Sequence, residues 1–233
     1  AGIRGPRRDT LLDRAYQLRE HLPERERYNI EGAFWVRKDR PKAITAFERA
    51  VAIDSFNTDV LNSLALLYTR DYGRAEHLYR RAVEVEPENG VIMSNLAGTL
   101  VAEGKLDAVD SLLGVMRARK IPYPTVRREA DVLYMRGRYD SLEVIARAAT
   151  RTPSASWQAG ATGYLRDLIA VRGRFRESDS LDAVIAARSL GAERSSTFDR
   201  AVNRAMTDGW FRGKTPQAIA RLDETVYRII RER

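Results

Sequence analysis

The amino-acid sequence predicts an all-α fold, a solenoid of antiparallel helix pairs. Three observations carry this reading: apolar residues recur at the helical period in short segments, turn signals arrive roughly every 12 to 20 residues, and no segment sustains the alternation of an amphipathic strand. Segment 58–89 shows the pattern best. Leu61, Leu64, Ala65 and Tyr68 share one helix face, Ala75, Leu78, Tyr79 and Ala82 share a second, a Gly-containing turn joins the two helices, and Pro87 ends the second.

Composition agrees with a helical protein that buries a large core. The chain has 233 residues, 44% apolar and 31% charged, and its apolar runs are broken by Ser, Asn, Asp or Arg long before the roughly 18 residues of a membrane span. The formal charge of +8 comes from 40 Lys and Arg residues, of which only Lys38, Lys42, Lys105, Lys120 and Lys214 are Lys. Such an arginine bias also arises from genomic base composition, so it points only weakly to nucleic acid. The absence of Cys excludes disulfides, thiol nucleophiles and Cys-based metal sites, and leaves the redox compartment open.

In chain order, residues 1–10 carry Arg4, Arg7 and Arg8 beside Gly2, Gly5 and Pro6, and read as a flexible basic arm, a solvated linker rather than a nucleic-acid or membrane contact. Residues 11–23 read as a lone helix of a partial repeat, with Asp9 or Thr10 as its N-cap and Pro23 beyond its end. Segment 24–57 follows as a pair, with Ile30, Phe34, Ala43, Phe47 and Ala50 at the intra-pair contact and Pro41 in the first turn of the second helix. Segment 58–89 is expected to have an interhelix turn two residues shorter than usual. In 90–122, Leu96, Ala97, Leu100 and Gly104 fit the pattern, while Val109 and Met116 stand where Ala is commoner. Segment 123–156 retains Ala130, Leu133, Gly137, Tyr139, Ala146 and Ala149, and 157–192 retains Leu165, Ile169, Gly173, Phe175 and Leu181. Residues 193–233 read as a degenerate C-terminal helix pair. Its closing helix has Thr215 as N-cap, Pro216 at the first position and the stripe Ile219, Leu222, Val226, Ile229 and Ile230.

Little catalytic chemistry is visible. The two histidines, His21 and His77, lie among ordinary packing and solvent residues, and neither a histidine metal set nor a nucleophile in a strained turn accompanies them. Glu177, Asp179 and Asp182 sit on a helix surrounded by Arg and read as a solvated face. No phosphate-binding glycine loop is present. The expectation is a chain that is not an enzyme and needs no cofactor and no metal.

Pairs of short helices recurring about every 34 residues, with small residues where the helices touch, resemble the tetratricopeptide repeat family. The resemblance implies a right-handed superhelical solenoid of about five to six units. It further implies that a partner protein or peptide segment binds in the concave groove lined by the first helix of each unit. Placed on the repeat, the groove residues are Tyr28, Trp35, Asn62, Leu66, Ser94, Asn95, Arg127, Arg128, Tyr134 and Tyr164. This mixture suits hydrogen bonding to an extended backbone, and Arg127 and Arg128 are expected to pair with an acidic partner segment. Trp210 and Phe211, between two glycines in the last turn, are a further candidate contact.

Family members that grip chaperone C-termini use a Lys and an Asn where this chain has Tyr28 and Gly32, so that ligand is not expected. Between Leu11 and Glu86, the runs LPERER, KAITAFERAVAID, LNSLALLY and RAEHLYRRAVEVEP resemble the repeat tails of bacterial serine/threonine protein kinases. That likeness implies a bacterial docking domain on the extracytoplasmic side of a membrane. Without any kinase motif, no kinase activity is carried over.

The functional expectation is therefore a non-catalytic protein-interaction scaffold. Its rivals are an architectural subunit of a larger, membrane-anchored complex and an arginine-based nucleic-acid binder. The apolar Leu11, Leu12 and Ala15 on a helix that lacks its pair also lead to the expectation that the native array extends before Ala1, or that another subunit covers this end.

Overall fold

The side chains of Asp39, Asn57, Asp71 and Asn89 each accept hydrogen bonds of 3.1–3.2 Å from backbone N–H groups of the turn that follows, and so set four helix starts in this computed structural model. The structure describes residues 6–123, 125–151 and 155–188, with 213, 214, 216, 217, 219, 220, 223 and 224 near the end. The described residues form eleven α-helices and no strand. These are α1 (Pro6–Gln17), α2 (Glu24–Trp35), α3 (Arg40–Ile53), α4 (Thr58–Leu67), α5 (Tyr72–Val85), α6 (Gly90–Ala102), α7 (Leu106–Ala118), α8 (Val126–Met135), α9 (Tyr139–Ala149), α10 (Ala155–Val171) and α11 (Phe175–Arg188). The fold is all-helical, built from antiparallel pairs that pack on their neighbours. Among the described residues no helix is long and apolar enough to cross a membrane.

The chain divides after Met135 into two compact units. The division falls inside 123–156, the segment that the sequence reads as one pair. Within the first unit α8 packs on α6 and α7, and its Val132 joins their buried cluster.

That cluster runs from α3 to α8. Ala43, Phe47 and Ala50 meet Leu61, Leu64 and Ala65, which meet Ala75, Leu78, Tyr79 and Ala82, then Leu96, Ala97 and Leu100, then Val109, Leu113 and Met116. Small residues let the helices approach, and each fully buried large side chain contributes about 1.5–3 kcal/mol. The tightest approach between two helices is at Gly32, where an added Cβ would stand 2.5 Å from the Phe47 ring. Turns from first to second helix use left-handed glycines at Gly104 (φ +73°) and Gly173 (φ +74°). There Lys105 N–H and Arg174 N–H close back on the carbonyls of Leu100 and Ile169 at 2.9 and 3.0 Å.

Three local expectations change. Helix α1 begins at Pro6, so the last five residues of the supposed arm are helical; proline suits a first turn whose N–H groups have no intrahelical acceptor. The same helix stops at Gln17 and gives way to a 3₁₀ turn over Arg19–His21, because Arg19 takes the Tyr16 carbonyl at 2.7 Å and Glu31 at 3.1 Å. In segment 58–89 the shortening lies in helix α4, ten residues against twelve in α2, and not in the connection. Arg40 donates to the Leu67 carbonyl and to Thr69 Oγ1, capping α4 where it ends.

In the second unit α10 packs against α9 and α11, with Ala146, Leu165 and Ile169 buried beside Leu181. Glu143 binds Arg147, Arg172 and Arg174 at 2.7–2.9 Å. Of the expected C-terminal pair, only scattered residues fall within the described set.

Elsewhere in the first unit, Glu76 of α5 accepts from Lys105 at 2.5 Å and from Arg80 at 2.7 Å. The Lys105 hydrogen bond, followed by Arg80, holds the Glu76 carboxyl down at about 2. Because its unfolded counterpart titrates near 4.5, the stabilisation is complete above pH 5 and is lost as pH falls toward 2. Glu76→Gln is expected to lower stability by about 1 kcal/mol at pH 7 and by nothing at pH 2. Urea midpoints of both proteins measured across this range test the convergence.

Candidate functional site

The first helices α4, α6 and α8 lie side by side, joined by polar bonds across their shared face. Asn95 Nδ2 donates to Asn62 Oδ1 at 2.9 Å, and Arg128 Nε donates to the Ser94 carbonyl at 3.0 Å. Arg128 Nη1 also pairs with Asp131 at 3.0 Å. The guanidinium lies on Gly98, whose absent Cβ would stand 2.7 Å from Nη2. Glycine at 98 is thus what allows α8 to reach across to α6.

Two cavities open on this face and meet at Leu66, which is 53% exposed. The first, about 540 Å³, is walled by Ala33, Phe34 and Val36 of α2 and its turn, Phe47 of α3, Ser63, Leu66 and Leu67 of α4, and Leu12 of α1. Its rim carries the Lys38–Asp13 ion pair at 2.8 Å, with the Lys38 ammonium 3.5 Å above the Phe34 ring. Tyr16 stacks on the same ring at 3.8 Å and thereby holds α1 beside the cavity. The second cavity, about 310 Å³, is lined by hydroxyls, an amide and one guanidinium: Tyr68, Tyr72, Tyr79, Asn95, Thr99 and Arg128 surround it with Leu66, Ala65 and Gly98. Burial is the largest cause holding the Tyr79 hydroxyl up at about 12, so it remains a donor throughout the physiological range.

The structure brings Asn62, Leu66, Asn95 and Arg128 together and separates other expected groove residues from them. Tyr28 and Trp35 turn instead toward α3, where Arg49 and Lys42 stand 5.5 and 4.5 Å from their ring centres. Ser94 is buried beneath Arg128, so its side chain is no surface contact, and Arg128 itself is engaged within the unit. Arg127 and Tyr134 are exposed on α8. Tyr164 belongs to the second unit, and Trp210 and Phe211 lie outside the described residues.

Sequence reasoning did not place Leu12, Phe34, Tyr72 or Tyr79 here. The short α4 is followed by an α5 whose first residue, Tyr72, lines the second cavity. Among the described residues no cluster of His, Asp and Glu has the arrangement of a metal site.

No protein-family model and no curated protein matches the sequence. Among solved structures, the fold is similar to that of human IFIT1, determined as a dimer with m7Gppp-AAAA. The identity is 14% and the TM-score 0.50, over 94% of this chain and 64% of that one, so this chain spans less than two thirds of its neighbour's length. At that identity the likeness concerns the fold alone, a TPR-like helical repeat.

Proposed function

We propose that the chain is a non-catalytic scaffold that binds a segment of a partner protein along the face formed by α2, α4, α6 and α8. One observation carries the reading: two cavities of different chemistry meet at an exposed leucine on a face stiffened by the Asn62–Asn95 and Ser94–Arg128 bonds. An apolar cavity takes an anchoring side chain, and amides and hydroxyls beside it take a peptide backbone. The resemblance of residues 11–86 to bacterial kinase tails supports a docking role next to a membrane. Exposed Leu11 and Leu18 on and after α1 favour the related reading, an architectural subunit of a larger complex.

Peptides selected from a displayed random library on the intact chain are expected to lose about tenfold in affinity for Leu66→Gln, with the melting temperature unchanged. Equal affinity for the variant would remove the groove.

Nucleic-acid binding is the second reading, favoured by the +8 charge and by the m7Gppp-AAAA of the IFIT1 structure. If it holds, the library yields no Leu66-dependent peptide, and oligonucleotide affinity falls steeply with salt.

A further inference from the structure

Two hydrogen-bond donors in the 310 Å³ cavity have no acceptor among the described residues. Tyr79 is 3% exposed, yet its hydroxyl donates to none of them. Arg128 uses Nε on the Ser94 carbonyl and Nη1 on Asp131, which leaves Nη2 without an acceptor, flat against Gly98. Both groups line the same cavity. Neither atom is sealed from solvent, so an anion that enters the cavity replaces water on both donors and turns neutral hydrogen bonds into charge-assisted ones.

Resting on the proposed groove, we infer that this cavity is a subsite for a carboxylate, the acidic side chain of an Asp or Glu in the partner segment. The carboxylate oxygens accept from Tyr79 O–H and Arg128 Nη2, while the stem of the side chain lies against Leu66 and Ala65. Charge selects a carboxylate over a nucleic-acid backbone. Arg128 is the only cation among the described residues lining the cavity, and Asp131 already offsets part of it, so a single negative charge is balanced and a phosphodiester strand finds no track of cations. Because Tyr79 keeps its proton far above neutrality, capture is lost only as the carboxylate itself is protonated.

The probe is the peptide N-acetyl-Gly-Gly-Glu-Gly-Gly-amide, titrated into the full chain carrying labelled tyrosine rings, with the Gln peptide and tetra-adenylate as comparisons. Tyr79→Phe identifies the Tyr79 signal and removes the hydroxyl. The Glu peptide is expected to move that signal at millimolar concentration and to bind at least about tenfold more tightly than the Gln peptide. It is also expected to lose about tenfold in the folded Tyr79→Phe and Gly98→Ala variants, the second of which displaces the guanidinium. Equal binding of the two peptides, an unmoved Tyr79 signal, or tetra-adenylate acting at lower concentration than the Glu peptide would each overturn the assignment. If library peptides depend on Leu66 but ignore Tyr79→Phe, the groove stands and the carboxylate subsite falls. If they ignore both, the groove falls as well.

Discussion

Phe47→Ala is expected to lower the stability of the chain by about 3–5 kcal/mol, the largest loss of any single substitution considered for this molecule. The ring is fully buried and lies against Gly32, with three of its carbons within 2.7 Å of the place where a Cβ would stand. No ring can remain there beside alanine, so Gly32→Ala is also expected to destabilise, by about 2 kcal/mol, although alanine is the better helix former by about 1 kcal/mol. The sign should reverse once the ring is gone. In the Phe47→Ala background, Gly32→Ala fills part of the vacated space and regains the helix preference, so its effect becomes neutral or favourable. Urea unfolding of the four proteins of this cycle measures the coupling. If Gly32→Ala destabilises equally in both backgrounds, the close approach of α2 and α3 is not what requires glycine.

Arg128→Ala is expected to cost about 2–3 kcal/mol, while Arg127→Glu stays within about 0.5 kcal/mol of the parent. The neighbours differ in their partners. Arg128 is held between the Ser94 carbonyl and Asp131, both shielded, so removing it takes a donor from the carbonyl and a charge partner from the carboxylate. Arg127 projects from α8 into solvent. Reversing both charges together would therefore report loss of fold through Arg128 rather than loss of a partner through Arg127. Thermal melts of the single variants separate the two, and a parental midpoint for Arg128→Ala would show that α8 is held to α6 by apolar packing alone.

What the sequence makes legible is local. Leu61, Leu64, Ala65 and Ala75, Leu78, Tyr79, Ala82 announce their buried faces because burial follows the helical period, and Gly104 and Gly173 announce turns because few other residues accept their dihedral angles. The candidate site is less legible, because its members are chosen by residues far along the chain. Whether Ser94 faces solvent depends on an arginine 34 positions later, and whether that arginine lies down depends on Gly98. Tyr28 and Trp35 look outward by spacing but are drawn toward cations of α3, an attraction that periodicity does not record. Tyr79 fits the buried period and is indeed buried, yet it also lines the cavity, which periodicity does not distinguish from plain core packing.

Leu66 stands at the shared border of the two cavities, and this adjacency has an arithmetic meaning. A peptide that seats one side chain presents the next few residues to the neighbouring cavity at an effective concentration on the order of millimolar, fixed by the length of chain between them. Two anchors that are each weak alone then reinforce each other without any change in the shape of the protein. The discrimination so obtained is one of spacing. A segment with the right side chains one residue too far apart fills either cavity but not both, and dissociates as quickly as a single-anchored ligand.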